Sequence, residues 1–256
     1  MFWILQKNLF NEPAFQSLQD QLVVQQVPHA VVHLRPFTHE IEPDVEVSGP
    51  VFVCGSTGLR HVARRKGWSP GYFDQNLDYR LLLQHYGPRM LNADARVAPL
   101  KDACLGADAA FVRPVDDDKQ FPGQVMTKAE FSHWQASVMK PDRPHTHSTL
   151  TGDDPIVIAR PKPLHAEYRF QVVDARVISG SLYRRGASVC QDARVDDRVR
   201  RFAQACADIW CPNRAFCLDV ADTPDGLKVL EINAINASRF YACDLGTFVN
   251  AINALG

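Results

Sequence analysis

No stretch of this chain approaches the roughly 20 consecutive apolar residues that a bilayer-crossing helix needs. The apolar opening, residues 1–5, stops at Gln6 and Lys7 and is too short for a signal peptide. Charge of one sign is also lacking. Lys and Arg number 28 against 29 Asp and Glu, a net of -1, so no global basic field exists to hold nucleic acid non-specifically, and nucleic acid is not an expected partner. Cysteines are scattered: Cys54, Cys104, Cys190, Cys206, Cys211, Cys217 and Cys243 are odd in number and form no C-x-x-C pair. That argues against a disulfide framework or a zinc site and for reduced thiols in a cytoplasmic protein without membrane association. Repeats and low-complexity tracts are missing, as are a G-x-S-x-G nucleophile turn and a G-x-x-x-x-G-K-[ST] phosphate loop.

What is present is a chain of 256 residues, 46% hydrophobic, enough to bury a core as one large domain or as two to three small lobes. Its first third reads as mixed α/β. Residues 2–5 and 30–34 are short strand candidates, and residues 13–25 have helical spacing. The apolar run 51–54 ends in Gly55-Ser56-Thr57-Gly58 and a helical stretch, the strand–turn–helix of an α/β unit. Residues 77–86 read as a helix stopped by Gly87-Pro88, residues 109–112 as a strand ending at Arg113-Pro114, and residues 127–136 as a helix. From residue 156 the pattern turns to strands: 156–159, then a hairpin of 167–173 and 176–183 through Asp174-Ala175. A helix over 195–210, strands at 216–220 and 227–232, and a helix over 248–255 complete the reading. Expected domains are an N-terminal α/β lobe over 1–90, a central subdomain over 91–155 and a C-terminal subdomain over 156–256.

Near the carboxyl end, two acids and an amide stand in apolar strands. Asp219 lies within Phe216-Cys217-Leu218-Asp219-Val220, and Glu231 and Asn233 lie in Val229-Leu230-Glu231-Ile232-Asn233. Strand side chains alternate, so Glu231 and Asn233 share a face, and the intervening turn brings Asp219 alongside in a register the sequence leaves open. Two carboxylates and an amide oxygen are hard ligands of the kind Mg2+ takes, with water or phosphate oxygens filling its other positions. A lone acid in a strand reads as a half-exposed residue on a solvated face; the acid, turn and E-x-N combination reads as a metal site. Arg113, with Lys119 in the following loop, supplies cations suited to phosphate oxygens. Glu167 and Arg169 share one strand face and can address one ligand together; the competing reading is a cross-strand ion pair. Lys162, between two prolines, reads equally as a phosphate or substrate contact and as a solvated lysine. His145-Thr146-His147 lacks a matched third ligand and reads as loop polarity.

Asp219 followed by Glu231-Ile232-Asn233 resembles the terminal magnesium signature of ATP-grasp enzymes. The tail Asn236-Ala237-Ser238-Arg239-Phe240-Tyr241 with Asp244, and Arg113 where most members carry lysine, resemble one clade of that superfamily. The resemblance implies an ATP-grasp fold of the α/β (α+β) class, with a pre-ATP-grasp lobe and two ATP-binding subdomains. It implies two Mg2+ ions bridged by Glu231, with Asp219 on one and Asn233 on the other. It further implies adenine recognition by the backbone of a strand containing Ile158 and Ala159, ribose contact by Glu167, and stabilisation of an acyl-phosphate by Arg169 and Arg184. The activity implied is ATP-dependent joining of a carboxylate substrate to an amine or thiol. A kinase-like phosphotransferase and a non-catalytic nucleotide-binding module remain alternatives, and neither the acid nor the nucleophile is named by any motif.

Overall fold

The computed structural model describes residues 1–7, 13–35, 38–116, 121–140 and 150–256. They form two compact units, one of Met1–Asn76 with Leu164–Gly256 and one of Leu77–Pro163. None of the described helices is long and apolar enough to cross a membrane.

In the first unit, β1 (Phe2–Gln6), α1 (Pro13–Val24), β2 (His29–Arg35), β3 (Glu40–Glu42), β4 (Val51–Cys54), α2 (Thr57–Lys66) and β5 (Pro70–Gly71) build an α/β layer with strand order β3-β2-β1-β4-β5. Strand β1 pairs in parallel with both β2 and β4. Every residue of β4 is buried, as expected for a short apolar run in a parallel sheet covered on both faces. Helix α2 buries Leu59, Val62 and Ala63 at helical spacing and stops at Gly67, whose φ of 66° is the left-handed conformation that glycine adopts freely.

The second unit contains α3 (Tyr79–Tyr86), β6 (Arg96–Pro99), β7 (Ala109–Pro114), β8 (Gln124–Thr127), α4 (Lys128–Val138) and β9 (Pro155–Ala159). Its sheet runs β6-β9-β7-β8. Thr127 and Glu130 close a capping box that starts α4. Strand β9 is an inner strand, antiparallel to β6 and β7. The expected subdomain divisions at 90/91 and 155/156 therefore differ from the unit changes at 76/77 and 163/164. At the second boundary the reason is the β9 ladder, which ties residues 155–159 to the segment before them.

Back in the first unit, β10 (Ala166–Val173), β11 (Arg176–Arg185), β12 (Ser188–Asp192), α5 (Asp197–Ile209), β13 (Ala215–Thr223), β14 (Gly226–Asn233) and α6 (Leu245–Asn253) complete the chain. The sheet is antiparallel, in order β12-β11-β10-β13-β14. Asp174 and Ala175, at φ 43° and 62°, make the two-residue turn with both centres left-handed that suits a twisted hairpin. The mixed α/β class expected from sequence is the class observed.

One side chain joins the two sheets of this unit. Asn236, fully buried, follows β14 and donates through Nδ2 to the carbonyls of Val53 (2.6 Å) and Gly71 (3.1 Å), while its Oδ1 accepts from the Phe73 amide (2.8 Å). Its backbone carbonyl also accepts from the Gly55 amide at 2.8 Å. Asn236→Ala orphans two carbonyls and an amide at once, and is expected to cost about 2 kcal/mol of stability. Urea denaturation would read this, and an unchanged midpoint would show that the amide is not the link.

Candidate functional site

The first unit holds Glu167, Arg169, Arg184, Asp219, Glu231 and Asn233. Residues Arg169, Asp219 and Glu231 occupy one row of the antiparallel sheet, Arg169 opposite Asp219 and Asp219 opposite Glu231. The next row carries Gln171, Cys217 and Asn233. The sheet thus supplies the register that sequence left open, and all three metal candidates meet on β13 and β14. A bulge between Asp219 and Val220 in this pairing gives β14 one extra residue, Leu230, the kind of irregularity that re-aims side chains beside functional sites.

Arg169 grips Asp219 with two parallel bonds, Nε to Oδ1 at 2.8 Å and Nη2 to Oδ2 at 2.6 Å. Asp219 is fully buried and Arg169 is 7% exposed. Burial pushes the Asp219 carboxyl up to about 6, and Glu231 and Glu167 add to this against the pull of the guanidinium. Burial would lower the Arg169 value, but the Asp219 carboxylate outweighs it and holds the guanidinium charged. At neutral pH the pair is an ion pair. Arg169 Nη2 also lies 4.0 Å from Glu231 Oε1, and Asn233 Nδ2 donates to that same oxygen at 2.9 Å.

These residues fit a hard divalent cation. Glu167, Asp219 and Glu231 bring three carboxylates to the sheet face that carries Arg169, and the charges of Glu231 and Glu167 add to burial in raising the Asp219 value. A carboxylate has about four lone-pair sites, so a two-bond grip by arginine leaves Asp219 capacity for a cation. Among the described residues no group of three or more His, Cys, Asp or Glu could hold a metal alone. Two acids and an amide would accordingly leave most of a Mg2+ shell to water and phosphate oxygens, the usual arrangement where nucleotides bind.

The competing reading of a cross-strand ion pair holds for both residues, Arg169 with Asp219 on β13 and Glu167 with Arg184 on β11, and Glu167 has a second partner. Its Oε2 accepts from the Tyr183 hydroxyl at 2.7 Å, and its Oε1 lies 3.2 Å from Arg184 Nε. Tyr183 stacks on Tyr241 with ring centroids 4.8 Å apart and planes at 8°. The Arg169 guanidinium lies 5.7 Å from the first ring and 5.3 Å from the second, within reach of a cation–π attraction. Sequence reasoning passed over Tyr183, because an aromatic in a strand reads as core; only its position next to Arg184 hinted otherwise.

The second unit holds Arg113, Ile158, Ala159 and Lys162; Lys119, His145 and His147 lie outside the described residues. Arg113 lies near the end of β7, opposite Val157, its guanidinium 5.7 Å from the Tyr79 ring. The Tyr79 hydroxyl donates to the Asn92 carbonyl at 2.6 Å, and Asn92 Oδ1 accepts from Lys162 Nζ at 3.2 Å. Lys162 Nζ also meets Asp94 Oδ1 at 2.5 Å. Arg113 and Lys162 are therefore linked through Tyr79 and Asn92, which no sequence pattern marked. Ile158 has strand partners on both sides, Arg96 and Val112, whereas Ala159 has only Phe111.

A family model described as an ATP-grasp domain, the third family of its clade, matches residues 30–252. No curated protein matches the chain closely enough to count as a relative. Among solved structures, the chain is similar to D-cycloserine synthetase DcsG at 14% identity and a TM-score of 0.66, over 99% of each chain. It is similar to the ATP-grasp ligase PsnB complexed with minimal precursor, Mg and ADP at 14% identity and 0.56, over 99% of this chain and 97% of that one. A third likeness is the D-alanine–D-alanine ligase of Bacillus anthracis complexed with ATP, at 13% identity and 0.57, over 100% and 91%. At such identities the likenesses establish the fold.

Proposed function

From the premise that the chain belongs to the ATP-grasp domain family whose model it matches, we propose that it is an ATP- and Mg2+-dependent ligase joining a carboxylate to an amine or thiol. The observation that carries this reading is the row of Arg169, Asp219 and Glu231, flanked by Asn233 and Glu167, all on one sheet face. Glu231, Asp219 and Asn233 are the metal ligands of the proposal, for two Mg2+ ions. When bound, Mg2+ supplies charge neutralisation on the phosphates and aligns transfer. Arg113, Lys119 and Lys162 are the proposed phosphate cations. Ile158 and Ala159 meet the base through their backbone, with Ala159 favoured because it has the single strand partner. Glu167 takes the ribose hydroxyls.

In the proposed reaction the substrate carboxylate oxygen attacks the terminal phosphorus of ATP and ADP leaves. The nucleophile then bonds to the acyl carbon, the acyl C–O bond breaks, phosphate leaves, and the nucleophile loses its proton to solvent. Arg169 and Arg184 are the residues proposed to stabilise the charge that gathers on the transferring and departing oxygens. Fold similarity to D-cycloserine synthetase, to D-alanine–D-alanine ligase and to a ligase complexed with a precursor supports a small molecule or a peptide as substrate class.

The test is product analysis with ATP, Mg2+ and a panel of carboxylates with amines or thiols. Stoichiometric ADP, phosphate and a coupled product are expected. A stable phosphorylated acceptor would replace the ligase by a phosphotransferase, and AMP with pyrophosphate would exclude acyl-phosphate chemistry.

A further inference from the structure

Glu167 is a flexible carboxylate-bearing side chain whose orientation must be imposed by its neighbours. Arg184 restrains it from the solvent side only: its own side chain is 47% exposed against 11% for Glu167, and a pair open to water at one partner is partly screened there. Tyr183 is the other contact, 8% exposed, with its hydroxyl 2.7 Å from Oε2. Burial pushes the Tyr183 phenol far above its ordinary value, so it remains a hydrogen-bond donor throughout the working pH range. Its ring cannot swing aside, since Tyr241 stacks on it in near-parallel planes. Tyr241 in turn has φ 50°, a left-handed backbone that is costly for a bulky residue and persists where its surroundings over-determine it. The next residue is tied down, the Ala242 amide donating to Ser181 Oγ at 3.2 Å, and the preceding Phe240 is buried in the core. A chain of contacts thus runs from the loop after the metal-bearing strand, through Tyr241 and Tyr183, to Glu167.

We propose that Tyr183, clamped by Tyr241, is a positioning residue for nucleotide recognition: its hydroxyl aims the Glu167 carboxylate at the ribose hydroxyls. This rests on the reading of Glu167 as the ribose contact. The phenol consumes one lone-pair direction of Oε2 and fixes the plane of the carboxylate, so the remaining directions point at one place. Without the hydroxyl the carboxylate can rotate, and misaimed hydrogen bonds lose most of their worth. Neither tyrosine needs to touch the nucleotide for this effect.

The experiment is calorimetric titration of the full chain with Mg·ADP and with Mg·2′,3′-dideoxyADP, which lacks both ribose hydroxyls. The unsubstituted protein should prefer ADP by roughly tenfold or more, the worth of hydrogen bonds to a charged group. Glu167→Gln should reduce that preference, and Tyr183→Phe, which keeps the stacked ring, should reduce it to about threefold or less. Tyr241→Leu, which frees the ring from its other side, should move the preference the same way. A purely structural tyrosine would weaken both ligands equally and leave the ratio intact. If Glu167→Gln lowers the ratio while neither tyrosine variant does, the positioning role is overturned and the ribose contact stands. If the unsubstituted protein binds both ligands alike, the ribose reading falls and the inference with it; if it binds neither, the ATP reading itself is wrong.

Discussion

Asp219→Ala is expected to lower the unfolding free energy by about 3–5 kcal/mol, because it strands a buried guanidinium without its counter-ion. The geometry makes this one of the largest single losses available to the fold. Both Arg169–Asp219 bonds are short, at 2.8 and 2.6 Å, and neither residue has solvent to fall back on. Asp219 is fully buried and Arg169 nearly so. The double substitution Arg169→Met with Asp219→Leu removes both charges and fills the row with apolar volume. It should return stability to within about 1–2 kcal/mol of the original, since buried ion pairs are often replaceable by well-packed hydrophobes. Chemical denaturation of Asp219→Ala and of the double variant would measure this difference directly. A loss under about 1 kcal/mol for Asp219→Ala would mean that the row is more hydrated than its burial indicates. The double variant should be folded yet fail to bind Mg·ATP, which separates what the pair contributes to folding from what it contributes to function.

Glu231→Gln probes the same row with the opposite balance. Glu231 has a side chain 31% exposed, 4.0 Å from the guanidinium, and glutamine can still accept the Asn233 Nδ2 bond now seen at 2.9 Å. Stability should therefore shift by about 0.5 kcal/mol or less, as for surface changes generally. Mg2+-dependent ATP affinity should fall on the order of a hundredfold, because the charge that would bridge the cations is gone. Titrating ATP with and without Mg2+ gives the difference. Equal Mg2+ dependence in the variant and the original would remove Glu231 from the metal site.

Much of the secondary structure was legible because it depended on local chemistry. The apolar run 51–54 became β4 without change of boundary, and Asp174-Ala175 became the predicted two-residue hairpin turn. Helices expected over 195–210 and 77–86 appear as α5 (Asp197–Ile209) and α3 (Tyr79–Tyr86), trimmed to their Asp196 and Asp78 caps. Strands β3, β6, β8 and β12 were not legible. They are short and largely exposed or half-buried, so no apolar alternation marks them, and they exist because a neighbour offers an edge to pair with.

The family resemblance rested on Asp219, Glu231 and Asn233, and local sequence alone puts these residues in adjacent strands with Glu231 and Asn233 on one face. A period of two residues is a property of any strand, so that much required no partner. Folding in three dimensions sets Arg169 opposite Asp219, makes β14 bulge at Leu230, and brings Tyr183 and Arg184 onto Glu167. Register, bulges and stacking arise from pairing between segments distant in the chain, 50 residues apart in the case of Arg169 and Asp219, and no local preference encodes them. Strand β9 changed units for the same reason: its composition fits either sheet, and its ladder with β6 and β7 chose one.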